Sequence, residues 1–207
     1  MDIEIWSAFV VTSVVLLIIP GPTILTVISY SMSHGNRAKV PLIVAVALGD
    51  STALVLSLLG LGTLLATSAF WFQAVKWIGG LYLIYMGAKL IKSGIKPSEI
   101  AFTDESKSGR KLFVNTYFVT ALNPKGIIFF ITFLPQFISP GSNSTQQLWI
   151  LATTFVALAA TNATLYAVFA GKARQLLSHP STQRIFNFSG GTLLSIAGAW
   201  ALSAKRA

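Results

Sequence analysis

The sequence predicts an all-α integral membrane protein: six transmembrane helices forming two inverted three-helix repeats, with helices 1 and 4 broken. Three observations predict it. The 207 residues are 54% hydrophobic and 10% charged, against about 25% charged in a soluble domain, so there is too little charge to build a water-facing exterior. Six apolar segments run roughly over 5–31, 40–66, 70–93, 112–138, 146–170 and 184–204. Each supplies the ~20 residues that a helix needs to cross a ~30 Å hydrocarbon core. Two of the six, in corresponding positions of the two halves, are interrupted: "IPGPTI" at 19–24 and "LNPKGI" at 122–127.

Span 1 follows the acidic Asp2 and Glu4. A signal peptide needs a basic leader and a short apolar core, so this long run is expected to stay in the mature protein. Span 2 carries "LGDST" in its middle. Between spans 2 and 3 the break is short, "ATSAFWFQAVKW", with Trp71 and Trp77 as expected interfacial anchors. A basic stretch follows span 3, and the "SPGSNSTQ" loop follows span 4. Span 5 contains "ATNAT". Span 6 contains "GGTLLSIAGAWAL" (190–202), which aligns without gaps on "GGLYLIYMGAKLI" (79–91) in span 3. The expected division of this single membrane domain is repeat 1 over 1–94, a cytoplasmic loop over 95–111 and repeat 2 over 112–207.

The +9 net charge is a topology signal. Alternate loops hold Arg37 and Lys39, then Lys89, Lys92, Lys96, Lys107, Arg110 and Lys111, then Lys172, Arg174 and Arg184: eleven basic residues. Leaving out Lys76 and Lys125, which lie within spans, the opposite side holds only Lys205 and Arg206. The positive-inside rule puts the eleven in the cytoplasm and both termini outside. Nucleic acid is not needed to explain the charge; the bilayer is the expected partner. Without cysteine, and with His34 and His179 in loops, no disulfide, thiolate metal site or haem is expected, and no metal or other cofactor.

Depth makes the interruptions informative. At ~1.5 Å per residue, Pro22, Asp50, Pro124 and Asn162 lie about 14, 15, 18 and 12 Å from the cytoplasmic ends of their spans. Backbone breaks and unusual polar side chains thus share one layer. Pro20, Pro22 and Pro124 deprive the carbonyls of Leu16, Ile18 and Thr120 of their helical donors. The helix restarting after each break presents free N–H groups and about half a positive charge. A broken span therefore offers N–H donors for a carboxylate beside carbonyls for an ammonium, the two charges of an amino acid.

Asp50 and Lys125 are the formal charges well inside the spans, where a charge costs several kcal/mol unless paired or hydrated. Two roles fit them: a bridge locking two helices, or a protonatable Asp50 with Lys125 contacting a substrate carboxylate or resetting the aspartate. Asn123 and Asn162 fit either interhelical glue or ligand orientation. Tyr82, Tyr85, Tyr166, Lys76, Lys89 and Trp200 read as packing or interfacial residues. Gly60, Gly62, Gly190, Gly191 and Gly198 read as close-contact positions, with room for a homodimer.

"PGP" in span 1, "GD" in span 2 and "NPK" in span 4, in a basic six-span chain of this length, resemble the LysE/RhtB family of bacterial amino-acid exporters. The likeness covers essentially the whole chain. It implies efflux of small amino acids or derivatives (threonine, homoserine, homoserine lactone, leucine) across the bacterial inner membrane by proton antiport. By motif it implicates Pro20, Gly21, Pro22, Gly49, Asp50, Asn123, Pro124 and Lys125. Depth adds Asn162, and the restart of span 1 adds the N–H groups of Thr23–Leu25, as the restart of span 4 adds those of Gly126–Ile127. The substrate-binding set is thus Pro20, Gly21, Pro22, Thr23, Gly49, Asn123, Pro124, Lys125 and Asn162, with Asp50 and Lys125 coupling protons.

The alternative is an exporter of divalent metal or another small cation, since relatives of this fold carry metals. Hard cations want several oxygen ligands, and the membrane holds one carboxylate. An intramembrane enzyme lacks a second carboxylate or an activated nucleophile. A purely structural membrane protein leaves the paired breaks unexplained.

Overall fold

The computed structural model describes residues 1–67, 69–93, 108–138 and 143–203, all helices and short connections without a strand. The chain runs α1 (Ile3–Ile18), α2 (Pro22–His34), α3 (Asn36–Thr67), α4 (Ala69–Ser93), α5 (Gly109–Ala121), α6 (Pro124–Thr132), a 3₁₀ turn (Leu134–Phe137), α7 (Ser144–Val168), α8 (Ala170–Ser178) and α9 (Pro180–Ser203). Lys96, Lys107, Lys205 and Arg206 lie outside the described residues, as do the surroundings of Gly60, Gly62, Trp71, Lys76 and Trp200.

Both expected interruptions are present, and proline chemistry makes them. Pro Cδ crowds the preceding residue out of the helical region. Accordingly Ile19 before Pro20 (ψ 112°), Gly21 before Pro22 (ψ −171°) and Asn123 before Pro124 (ψ 111°) are all extended. The chain bends by 55° between α1 and α2 and by 42° between α5 and α6 with its 3₁₀ extension. Among the described residues, Asn36–Leu59 of α3 and Ser144–Val168 are each long and apolar enough to cross a membrane, and each bent pair passes as one broken span. By contrast α3 runs unbroken through Pro41, close to its start, where few helical hydrogen bonds are at stake.

Several boundaries differ from expectation. Helix α5 begins at Gly109, three residues before the apolar segment expected from 112, where Ser108 Oγ accepts from the Lys111 N–H at 3.4 Å and carries the helix back across Arg110 and Lys111. Of the loop expected over 95–111, residues 95–107 lie outside the described residues, and 109–111 are helical. The connection after α7 is itself helical, α8, and α9 starts at Pro180, a favoured first helical residue. His34, expected in a loop, closes α2; the turn follows at Gly35, whose φ of 61° suits glycine.

In the packing, α3 lies against α5 and α6, while α7 lies against α1 and α2; α3 and α7 also touch each other. Each long helix therefore backs the broken span of the other half. A cluster of buried phenylalanines fills one side of the breaks: Phe129 stacks on Phe133 at 5.5 Å, Phe130 meets Phe155 edge-on at 4.8 Å, and Phe9 meets Phe137 at 5.3 Å. Such pairs add about 0.5–1.5 kcal/mol each beyond the area they bury.

The two aligned glycine segments face each other across α4 and α9, a pair with extensive contact. A Cβ on Gly198 would stand 2.6 Å from the Gly80 carbonyl oxygen, and one on Gly191 would stand 2.5 Å from that of Gly87. Gly80 opposes Gly198 and Gly87 opposes Gly191, so the helices run antiparallel with backbones in contact. This contact inside the chain uses Gly191 and Gly198, glycines that had left room for a homodimer. Gly198→Val is expected to abolish folded protein, since overpacking costs ~1–3 kcal/mol even where side chains can yield, and here the obstacle is backbone. Folded yield on size-exclusion chromatography checks it, with Gly171→Val, where nothing lies within 4 Å, as the unaffected control.

Candidate functional site

The two breaks meet at a cavity of about 30 Å³. Six of the expected residues line it: Gly21, Thr23, Asp50, Asn123, Lys125 and Asn162, with Leu16, Leu17, Ile24, Val46, Gly126, Phe155 and Ala159 completing the wall. Pro20, Pro22 and Pro124 do not line it; they create the breaks that form it. Gly49 does not line it either. Successive helical residues point ~100° apart, so with Asp50 on the cavity Gly49 faces elsewhere. A Cβ on Gly49 would stand 2.7 Å from Thr120 Cβ and 3.0 Å from the Tyr117 carbonyl oxygen, so its role is to let α3 approach α5.

The carbonyls released by the first break are all satisfied. Lys125 Nζ donates to the carbonyl oxygens of Leu16 (2.9 Å) and Ile19 (2.7 Å). Asn162 Nδ2 donates to that of Leu17 (3.0 Å), and the Tyr166 hydroxyl to that of Ile18 (2.8 Å). Four successive carbonyls thus take donors from α6 and α7, as groups shut away from water must. The carbonyls expected to be open to a ligand ammonium are therefore filled by the protein in this conformation. Tyr166, read from sequence as a packing residue, belongs to the site; its signal was its place one turn (i, i+4) after Asn162 on α7. Tyr166→Phe is expected to cost about 1–3 kcal/mol by leaving the Ile18 carbonyl without a donor at membrane depth, read as a lower thermal midpoint.

At the N-termini of α2 and α6 the free donors are fewer than expected. The Leu25 N–H bonds the Gly21 carbonyl (3.0 Å), the Ile127 N–H that of Asn123 (3.1 Å), and the Lys125 N–H bonds Asn123 Oδ1 (3.1 Å). Thr23, Ile24 and Gly126 keep N–H groups without a partner among the described residues, and all three line the cavity. Asn123 also donates from Nδ2 to Thr23 Oγ1 at 3.1 Å, tying the two helix starts together. On the α2–α5 side, Asn115 Nδ2 donates to the Tyr30 hydroxyl at 2.7 Å.

Asp50 and Lys125 are 8% and 7% exposed. No salt bridge within 4.0 Å joins them among the described residues, although both line the same cavity. The Asp50 carboxylate faces the cavity with no hydrogen bond among the described residues, and Gly126 lies alongside: a Cβ there would stand 3.9 Å from Asp50 Oδ1. Around one small space the chain therefore gathers a carboxylate, an ammonium already on carbonyls, and three N–H donors.

The LysE type translocator family matches residues 14–204. The chain is a member of that family. Membership makes it a membrane translocator of a small molecule rather than an enzyme, as the paired breaks and the site between them anticipate. Relatives at similar identity extend over whole chains. The translocator is 31% identical to the homoserine/homoserine lactone efflux protein of Salmonella typhimurium and 30% identical to that of Salmonella typhi, in each case over all of both chains. It is 29% identical to an uncharacterized membrane protein of Vibrio cholerae, over 99% of this chain and all of that one. No solved structure matches it.

Proposed function

We propose that the translocator exports a small amino acid of the homoserine type, or its lactone, from the cytoplasm across the bacterial inner membrane in exchange for protons. The observation that carries this reading is the cavity between two broken helices, with Asp50 and Lys125 on its wall. Full-length relatives named as homoserine and homoserine lactone efflux proteins support the substrate class. Threonine and leucine are further candidates. Homoserine and its lactone share an ammonium, and a lone carboxylate in low dielectric is a strong partner for one.

In the cycle we infer, the two halves act as inverted repeats, with the end where α2 meets α3 in the cytoplasm and both termini outside. Substrate enters from the cytoplasm. Its ammonium meets Asp50, and a carboxylate, where present, meets the N–H groups of Thr23, Ile24 and Gly126 at two positive helix ends. The halves then rock, opening the phenylalanine-packed side. A proton arriving at Asp50 removes the charge that held the ammonium, and substrate leaves. Each proton moving inward supplies ~2.3 kcal/mol per 100 mV, which sustains a gradient above tenfold. Metal export gains no support from this arrangement, in which an ammonium shares the cavity with a single carboxylate.

Overexpression in a homoserine-sensitive bacterium tests the proposal. The expected result is resistance to homoserine or its lactone, with faster loss of preloaded labelled homoserine that a protonophore slows. Resistance to divalent metal salts alone, or to none of the amino acids, would overturn it.

A further inference from the structure

We propose that the carbonyl oxygens of Leu16 and Ile19 form an ammonium site that Lys125 occupies when the translocator is empty, and that the substrate's own ammonium takes that site by displacing the lysine. The inference rests on the export reading above and adds the identity of the group the substrate competes with.

The geometry points to it in three ways. First, Leu16 and Ile19 converge on one Nζ at 2.9 and 2.7 Å, the lengths of charge-assisted hydrogen bonds. The neighbouring carbonyls of Leu17 and Ile18 are held by neutral donors, Asn162 and Tyr166. The break is thus split between fixed neutral caps and one place for a cation. Second, the cavity of about 30 Å³ suits a water, whose share of liquid volume is about that size, and no amino acid fits while the lysine stays. Third, the lysine has room and a reason to move. A Cβ at Gly21 would stand 3.5 Å from its Nζ, so on that wall no side chain stands in its way. The Asp50 carboxylate lines the same cavity and has no hydrogen bond among the described residues. Swinging off the carbonyls, Lys125 turns to the substrate carboxylate where there is one and otherwise shares Asp50 with the substrate ammonium, which Asp50 holds alongside the two carbonyls, so no charge is left bare. An empty carrier whose cation site is filled from within keeps the Leu16 and Ile19 carbonyls paired while Asp50 carries its proton inward on the return leg.

The test uses Lys125→Ala in the purified full chain, with methylammonium as a detached copy of the lost group. Methylammonium is expected to raise the thermal midpoint of the variant and leave wild type unchanged. It is also expected to compete with labelled homoserine: at ten times its own dissociation constant, it should weaken homoserine binding to the variant about tenfold by mass action, with no effect on wild type. A lysine that merely caps the helix and stays put beneath bound substrate gives the opposite sign, methylammonium leaving homoserine binding unchanged or tightening it, and that result overturns the proposal. Absence of any methylammonium stabilisation also overturns it. If homoserine fails to bind wild type, the substrate reading falls, while the methylammonium shift still decides the site. Should Lys125→Ala not fold, Lys125→Met carries the same comparison. If neither folds, methylammonium in the growth medium is expected to restore folded yield, and failure to do so counts against the site.

Discussion

Asp50→Asn is expected to abolish uphill export while leaving exchange of homoserine for homoserine in place. The amide keeps the size and polarity of the carboxylate, so the cavity wall between Val46 and Gly126 stands. What disappears is the charge that a proton can cancel. Without it, the inward proton current no longer ends the hold on the ammonium, and the driving term of ~2.3 kcal/mol per 100 mV is uncoupled from transport. In proteoliposomes carrying a pH gradient and a potential, wild type is expected to build a homoserine ratio above about tenfold, and the variant a ratio of one. Counterflow at zero gradient should persist in both. A variant that still concentrates homoserine, and loses the gradient with a protonophore, removes Asp50 from the coupling role.

The second large effect is expected from repairing the first break. Pro20→Ala with Pro22→Ala returns two backbone N–H groups, which bond the Leu16 and Ile18 carbonyls and draw α1 and α2 toward one straight helix. Each proline removed from what becomes a helix interior favours that helix by ~3 kcal/mol. The 55° bend then has no cause, and Lys125 and Tyr166 lose their acceptors to backbone donors. Homoserine transport is expected to fall ~100-fold, a barrier increase of about 2.7 kcal/mol, with the thermal midpoint held or raised. Wild-type export by the double variant would show that the break is a packing detail.

Much of this site was legible before any coordinates, for a specific reason. Proline acts locally, so "PGP" and "NPK" announce their breaks without reference to the rest of the chain. Depth along a helix follows from a fixed rise, so Asp50, Asn162 and the breaks could be put in one layer by counting. What counting could not supply is which groups touch within the layer. Lys125 reaches carbonyls more than a hundred residues away, and nothing in its flanking sequence says whether it turns to Asp50, to a ligand or to backbone. Tyr166 failed for a related reason: an aromatic near a span end has an apolar body and a polar tip, and only the approach of α1 shows that the tip is used. Gly49 came in with the "GD" motif of the resemblance, and a motif does not say that adjacent helical residues face different ways: Asp50 lines the cavity while Gly49 lies against α5. The free N–H groups were overcounted because a restarting helix recovers its own i→i−4 bonds after three residues, and Asn123 takes one more.

The account stands on substrate occupying the space between the breaks, and thiol protection tests that most directly. The chain has no native cysteine, so Ala159→Cys on the cavity wall and Ser33→Cys at the exposed end of α2 each carry a single reactive group. Mixed-disulfide formation with a small cationic methanethiosulfonate, which releases methanesulfinate, is then timed in membranes with and without homoserine. The account predicts at least ~10-fold slower labelling at 159 with saturating homoserine, as expected where occupancy leaves less than about a tenth of sites open, and no change at 33. Homoserine that is transported yet leaves the rate at 159 untouched would place the substrate elsewhere.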